Sequence, residues 1–271
     1  MRIAVFQGPA EAGTPADNLA ALDRVAGEAA ERGAKLLVAP EMFLTGYAIG
    51  PDAVRRLAEP VHGPSATAAA GIARRYDVAL CYGYPEASPA GEVYNAALLL
   101  GRDGGLRANH RKSHLFGELD RGSFAAGHSG PTLAELDGLK VGLMICYDVE
   151  FPENVRTLLL AGADLALVPT ALMAPYQFIA RQMVPTRAFE NQMFLAYANR
   201  CGAEADLRYV GLSCAVGPDG SELARAGEGE ELLVADLDLS LLETSRGLNT
   251  YLADRRPELY GELVRFPADE R

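Results

Sequence analysis

The chain has 271 residues, with 25 Lys plus Arg against 36 Asp plus Glu, and a formal net charge of -11. So acidic a balance argues against nucleic-acid binding, which needs a basic surface. Hydrophobic residues at 49% and charged residues at 23% exclude a disordered chain, and one domain over residues 1–271 with a sizeable core is expected.

Read in chain order, short apolar runs alternate with longer amphipathic ones. Arg2 to Gln7 reads as a strand, and its four apolar residues in a row are too few for a secretory signal. Thr14-Pro15 opens a helix to about Arg32, with Leu19, Leu22, Val25 and Ala29 on one face and Gly33 as its stop. Leu36 to Glu41 reads as a strand buried on both faces. A helix from about Ser65 to Tyr76 precedes a strand from Val78 to Tyr84. Val93–Leu100 and Leu106–Arg111 flank a hairpin turn, and Asp137-Gly138 marks a second hairpin between Thr132–Leu136 and Lys140–Cys146. A helix from about Pro152 to Ala161 and a strand from Leu165 to Pro169 come next. They are followed by a helical stretch from Tyr176 to Glu190 and strands at Phe194–Asn199, Gly211–Gly217 and Glu231–Leu237. Strands interleaved with helices and hairpins imply a layered α/β domain with mixed sheets.

The most apolar stretch, Leu158 to Pro175, is broken by Asp164, Pro169 and Pro175, short of the roughly 20 apolar residues a membrane span needs. The four cysteines, Cys81, Cys146, Cys201 and Cys214, lack the paired spacing of a zinc site, and no metal is expected. Free thiols in a reducing cytoplasm are the expectation.

Three segments could carry chemistry. Cys146 lies between a buried strand and a helix beginning at Pro152, beside backbone N–H groups that favour a thiolate and an oxyanion. It reads either as that nucleophile or as a buried structural thiol. Glu41 ends an apolar strand, where it would be a desolvated base or a solvated loop carboxylate. Lys112 is one of only three lysines, with Lys35 and Lys140, and a compact ammonium suits a point contact to an oxyanion. His62, His110, His114 and His128 read as surface or loop histidines. Periodicity alone does not bring these segments together.

Taken together, Pro40-Glu41-Met-Phe-Leu-Thr-Gly-Tyr47, Arg111-Lys112-Ser-His-Leu-Phe116 and Ile145-Cys146-Tyr-Asp148 resemble the nitrilase superfamily of carbon–nitrogen hydrolases. Phe151-Pro-Glu-Asn154, Arg187-Ala-Phe-Glu-Asn191 and the run from Tyr251 to Tyr260 extend the likeness over nearly the whole chain. The resemblance implies a four-layer α-β-β-α sandwich, a homodimer or higher homo-oligomer, no cofactor, and a C-terminal extension over about 248–271. It implies Cys146 as nucleophile, Glu41 as base, Lys112 and the Tyr147 N–H as oxyanion donors, and Glu118 as a second catalytic glutamate. A chain without Trp, and with Tyr147-Asp148 after the nucleophile, is similar to the amidase branch rather than to nitrilases.

Within that branch the motifs resemble the subgroup that hydrolyses 5-aminopentanamide in lysine breakdown. An ammonium-bearing substrate then implies Glu150 at the far end of the pocket, with Tyr47 or Tyr176 along the alkyl stretch. Asp148 is expected to fix the elbow, and Glu190 to pair with Arg187. An omega-amidase or N-carbamoyl-amine hydrolase is the alternative of the same chemistry. A catalytically silent binding protein is the alternative of another class.

Overall fold

The computed structural model describes residues 1–11 and 13–265. The first half runs β1 (Arg2–Pro9), α1 (Pro15–Glu31), β2 (Leu36–Val38), α2 (Pro51–Leu57), α3 (Pro64–Tyr76), β3 (Ala79–Ala87), β4 (Val93–Leu100), β5 (Leu106–Arg111) and the single turn α4 (Gly117–Arg121). The second half begins with β6 (Thr132–Leu136), β7 (Leu139–Leu143), a 3-10 turn at Cys146–Glu150, α5 (Pro152–Leu160) and β8 (Leu165–Pro169). A π-helical turn at Ile179–Met183 leads into α6 (Val184–Asn191), then β9 (Phe194–Ala198), β10 (Arg200–Glu204), β11 (Leu207–Val210), β12 (Cys214–Val216), β13 (Glu222–Arg225), β14 (Glu231–Asp236) and α7 (Ser240–Leu248).

The strands form two sheets. The first has the order β11-β10-β1-β2-β3-β4-β5, with β14 also paired antiparallel to β1 from Arg2 to Gln7. The second has the order β13-β12-β9-β8-β7-β6, parallel through β7, β8 and β9. Alternation along the strands divides the core into layers. Ile3, Val5, Leu36, Val38 and Leu99 pack against Val141, Leu143, Leu165, Leu167 and Phe194 between the sheets. Ala4, Phe6, Leu37, Leu80 and Leu98 face Leu22, Val25 and Ile72 of α1 and α3. Ala166, Val168 and Leu195 face Val155, Leu158 and Val184 of α5 and α6. The order is therefore helix, sheet, sheet, helix. Strands buried on both faces explain the continuous apolar runs in the sequence.

Local signals hold where a cap defines them. Thr14 and Asp17 form a reciprocal capping box at the start of α1, with Pro15 in its first turn. Among the boundaries that differ from the sequence reading, three bear on the site. β2 stops at Val38, because the chain hooks over β3 after Ala39-Pro40 and carries Glu41 beyond the sheet. β7 stops at Leu143, and Cys146 starts the 3-10 turn instead of ending a strand. The stretch 176–190 is not one helix. Pro185 has no N–H to give the carbonyl of Arg181, and the turn before α6 is widened to π geometry. Among the described residues no helix is long and apolar enough to cross a membrane.

Candidate active site

The functional residues gather at the carboxyl ends of β2, β5 and β7, where α/β sheets place their ligands. Glu41 lies just past β2, directly over Gly83 of β3. A Cβ at Gly83 would stand 2.3 Å from the Met42 N and 2.7 Å from the Glu41 Cα, so only glycine admits this crossing. Met42, at φ 49°, turns the chain immediately afterwards. The fully buried Arg200 guanidinium anchors the turn, donating to the carbonyls of Glu41 (3.0 Å), Met42 (2.5 Å) and Ala10 (3.1 Å).

Lys112 follows the last residue of β5 and is completely buried. Its Nζ donates to Glu41 Oε1 at 2.7 Å and to Asp120 Oδ2 at 2.7 Å. Asp120 also accepts from the Tyr47 hydroxyl (2.8 Å) and the Phe116 N–H (2.8 Å). Asn95 Nδ2 donates to the same Glu41 Oε1 at 2.7 Å, while Glu41 Oε2 is buried with no partner among the described residues. Burial, with Asp120 nearby, pushes the Glu41 carboxyl above its usual 4.5, although Lys112 and Asn95 favour the ionised form. Burial alone would weaken the Lys112 ammonium, but Glu41, Tyr47 and Asp120 outweigh it and hold Lys112 charged.

Cys146 sits at φ 45°, a left-handed conformation unusual for a side-chain-bearing residue, at the junction of the β7 extension and the 3-10 turn. The Tyr147 N–H lies in the first turn, where helical N–H groups have no intrahelical acceptor. Burial pushes the Cys146 thiol well up and the Glu41 carboxylate adds to this, against Lys112 and the Ala171 N–H. The resting thiol is therefore protonated, and a nucleophile at this place needs a base.

Asp148 holds the elbow. Fully buried, it accepts from the Ile145 N–H (3.1 Å), the His114 N–H (2.9 Å), His114 Nδ1 (2.8 Å) and His110 Nε2 (3.1 Å). Burial raises its carboxyl, but these donors win and leave it well below the usual 3.8. The expectation that His110 is a surface or loop residue is thus corrected, whereas His114 does lie in the loop after β5 and is partly exposed. His110 is buried on β5 and also meets Thr132, and His114 stacks on Phe151 with ring centroids 3.9 Å apart.

A cavity of about 270 Å³ opens at Cys146, lined by Tyr47, Phe116, Tyr147, Glu150, Met173 and Tyr176 among others. Phe116 stands edge-on to Tyr147 (5.3 Å) and to Tyr176 (5.9 Å). Glu150 brings a carboxylate to this aromatic lining. Burial raises its carboxyl, partly offset by Lys112 and Arg187. Arg187 is held on α6 by Glu190 at 3.0 Å and donates to the Val149 and Glu150 carbonyls.

The structure thus brings together Glu41, Lys112, Cys146, Tyr147, Glu150, Tyr47 and Tyr176. It does not bring Glu118. That carboxylate is 93% exposed and stands 3.7 Å from Arg121, while Asp120 occupies the place beside Lys112. The reason is helical geometry: residues two apart on α4 point to different sides, so only one can reach the lysine. Asp120, Asn95 and Arg200 escaped the sequence reading. The available signal for Asn95 was a polar residue inside an otherwise apolar strand run, Tyr94-Asn95-Ala96, whereas Arg200, first residue of β10 after Asn199, carried no such signal.

Comparison with known proteins agrees with this geometry. The carbon-nitrogen hydrolase family matches residues 2–246. The "hydrolase in pqqF 5′ region" of Pseudomonas protegens is 53% identical over 263 residues, covering 97% of this chain and 92% of that one. An (R)-stereoselective amidase of Pseudomonas sp. is 38% identical, covering 87% and 85%. The crystal structure of an amidase from Nesterenkonia sp. superposes with a TM-score of 0.83 at 36% identity, covering 97% of this chain and 96% of that one. In a variant of the Nesterenkonia sp. AN1 amidase, acrylamide is joined to the active-site cysteine by Michael addition. This chain belongs to the carbon–nitrogen hydrolase family, on the amidase side of the nitrilase superfamily.

Proposed function

We propose that the protein hydrolyses a short linear aliphatic amide carrying a terminal ammonium, 5-aminopentanamide being the expected substrate. Cys146 Sγ attacks the amide carbonyl as Glu41 accepts the thiol proton. The oxyanion is held by the Tyr147 N–H and by Lys112, which has three N–H donors and commits two to Glu41 and Asp120. Glu41 returns the proton to the departing nitrogen, ammonia leaves, and a Cys146 thioester remains. A water molecule, deprotonated by Glu41, then releases the carboxylic acid.

The observation that carries the substrate reading is Glu150. Among the described residues no side chain pairs with its carboxylate, and it lines a small aromatic-walled cavity that adjoins the nucleophile. A carboxylate beside π-faces attracts an ammonium and repels a carboxylate, which disfavours the dicarboxylate monoamides of omega-amidases. Ammonia release from 5-aminopentanamide, glutaramate, carbamoylputrescine and pentanamide tests this. The expected order places 5-aminopentanamide first, with no release by Cys146→Ala. Glu150→Gln should reduce the preference for the aminated over the neutral amide by about tenfold, a 1.4 kcal/mol difference. An unchanged preference overturns the ammonium reading. Total inactivity across the panel favours the binding-only alternative.

The acting species in this reading is a homodimer. Leu248 (78%), Leu263 (64%) and Val264 (81%) leave an apolar C-terminal segment exposed on one copy, which supports association. The rest of the expected extension, residues 266–271, lies outside the described residues. Light scattering of the full chain against one truncated after residue 247 measures this directly.

A further inference from the structure

We propose that Asn95 is a positioning residue for the base, holding the Glu41 carboxylate so that Oε2 alone faces the proton-transfer step with Cys146. The proposal rests on the Cys–Glu–Lys reading above. Asn95 lies on β4 with the alternation of Ala97 and Leu99, whose side chains face the apolar layer between the sheets. An amide at such a position costs stability unless both its ends are paired. Here one end is not: Asn95 is fully buried, and its Oδ1 has no partner among the described residues. What the residue does hold is the site. Its Nδ2 donates to Glu41 Oε1 at 2.7 Å, and its backbone carbonyl accepts the Lys112 N–H at 2.8 Å.

The consequence is geometric. Lys112 Nζ and Asn95 Nδ2 converge on Oε1 and occupy it, so the carboxylate cannot rotate without breaking two charge-assisted hydrogen bonds. Oε2 is left as the one carboxylate oxygen able to take the thiol proton and, later, that of water. The amide also favours the ionised carboxylate, opposing the effect of burial on Glu41. Loss of Asn95 therefore disturbs both the aim of the base and the pH at which it ionises, while substrate binding is left alone.

The test uses Asn95→Leu, similar in volume and apolar, and Asn95→Asp, similar in shape but adding a carboxylate beside Glu41. Two readouts are taken on the full chain: steady-state amide hydrolysis, and the pH dependence of Cys146 alkylation by iodoacetamide, with the modified peptide identified by mass spectrometry. For Asn95→Leu the expected result is a loss of about 10²-fold in kcat with KM within about twofold. In both variants the acid limb of the alkylation profile should move to higher pH. Asn95→Asp carries the test alone if Asn95→Leu does not fold. An acid limb at the parental pH in the variants overturns the proposal whatever happens to the rate, because a purely structural role removes activity without moving that limb. If the parent hydrolyses no amide, the alkylation profile still decides for or against Asn95, and the failure belongs to the amidase reading.

Discussion

Lys112 lies between Glu41 and Asp120 with none of the three side chains exposed, so each charge depends on the others. Removing one member of a buried pair leaves an uncompensated charge and costs about 3–5 kcal/mol. Asp120→Asn should therefore lower both stability and kcat/KM sharply, by about 10²-fold in the latter. Glu118→Gln, at an exposed carboxylate, should change activity by no more than about twofold. Chemical denaturation and ammonia release on the pair of variants check the assignment of the second acid. The base makes its own prediction. Burial holds the Glu41 carboxyl above 4.5, and only the ionised form can take the thiol proton, so activity is lost as pH falls through that raised value. The acid limb of kcat/KM should have its midpoint above pH 4.5, and a midpoint below it would show that Glu41 is not the base.

Two junctions between elements set the site, and each can be broken separately. At the first, β3 passes under the Glu41 turn with no room for a side chain at Gly83. Gly83→Ala must displace the Glu41–Met42 backbone and should destabilise by about 1–3 kcal/mol while removing most activity. At the second, Asp148 joins the elbow after β7 to the segment after β5 through the Ile145 and His114 N–H groups. Its folded carboxyl lies below the ordinary 3.8, so the stabilisation is complete above about pH 4 and is lost as pH falls further. Thermal melts from pH 7 to pH 3 should show the parent losing stability more steeply below pH 4 than Asp148→Asn. That variant should already be less stable at pH 7, by about 1.5–3 kcal/mol. Parallel acid limbs would remove Asp148 as the cause.

At the scale of the molecule, an apolar layer between two sheets carries the fold, and exposed charges only trim it. Lys35, Asp77, Arg102 and Asp137 form an ion-pair chain at the strand ends opposite Lys112, beside an open cleft of about 500 Å³. Exposed pairs of this kind are screened, so Arg102→Ala should cost under about 1 kcal/mol and less in high salt. Phe194→Ala, inside the inter-sheet layer, should cost about 3–5 kcal/mol. The same contrast separates what could be read in advance from what could not. Continuous apolar strands, the Thr14 cap and the Asp137-Gly138 turn carry their structure in local chemistry, and apart from the strand ends they stand where the sequence placed them. The hairpin β10–β11 and the helices α2, α4 and α7 are short, at most nine residues each, and the sequence reading passes over them. The sequence by itself determined the layered α/β class and the three chemistry-bearing segments around Glu41, Lys112 and Cys146, because their motifs are contiguous. Only the tertiary structure decided between Glu118 and Asp120, buried His110 beneath the elbow, and set Asn95 and Arg200 against Glu41. Those choices depend on which face of a short helix or strand meets a residue 8 to 159 positions away, and no local pattern encodes which face that is.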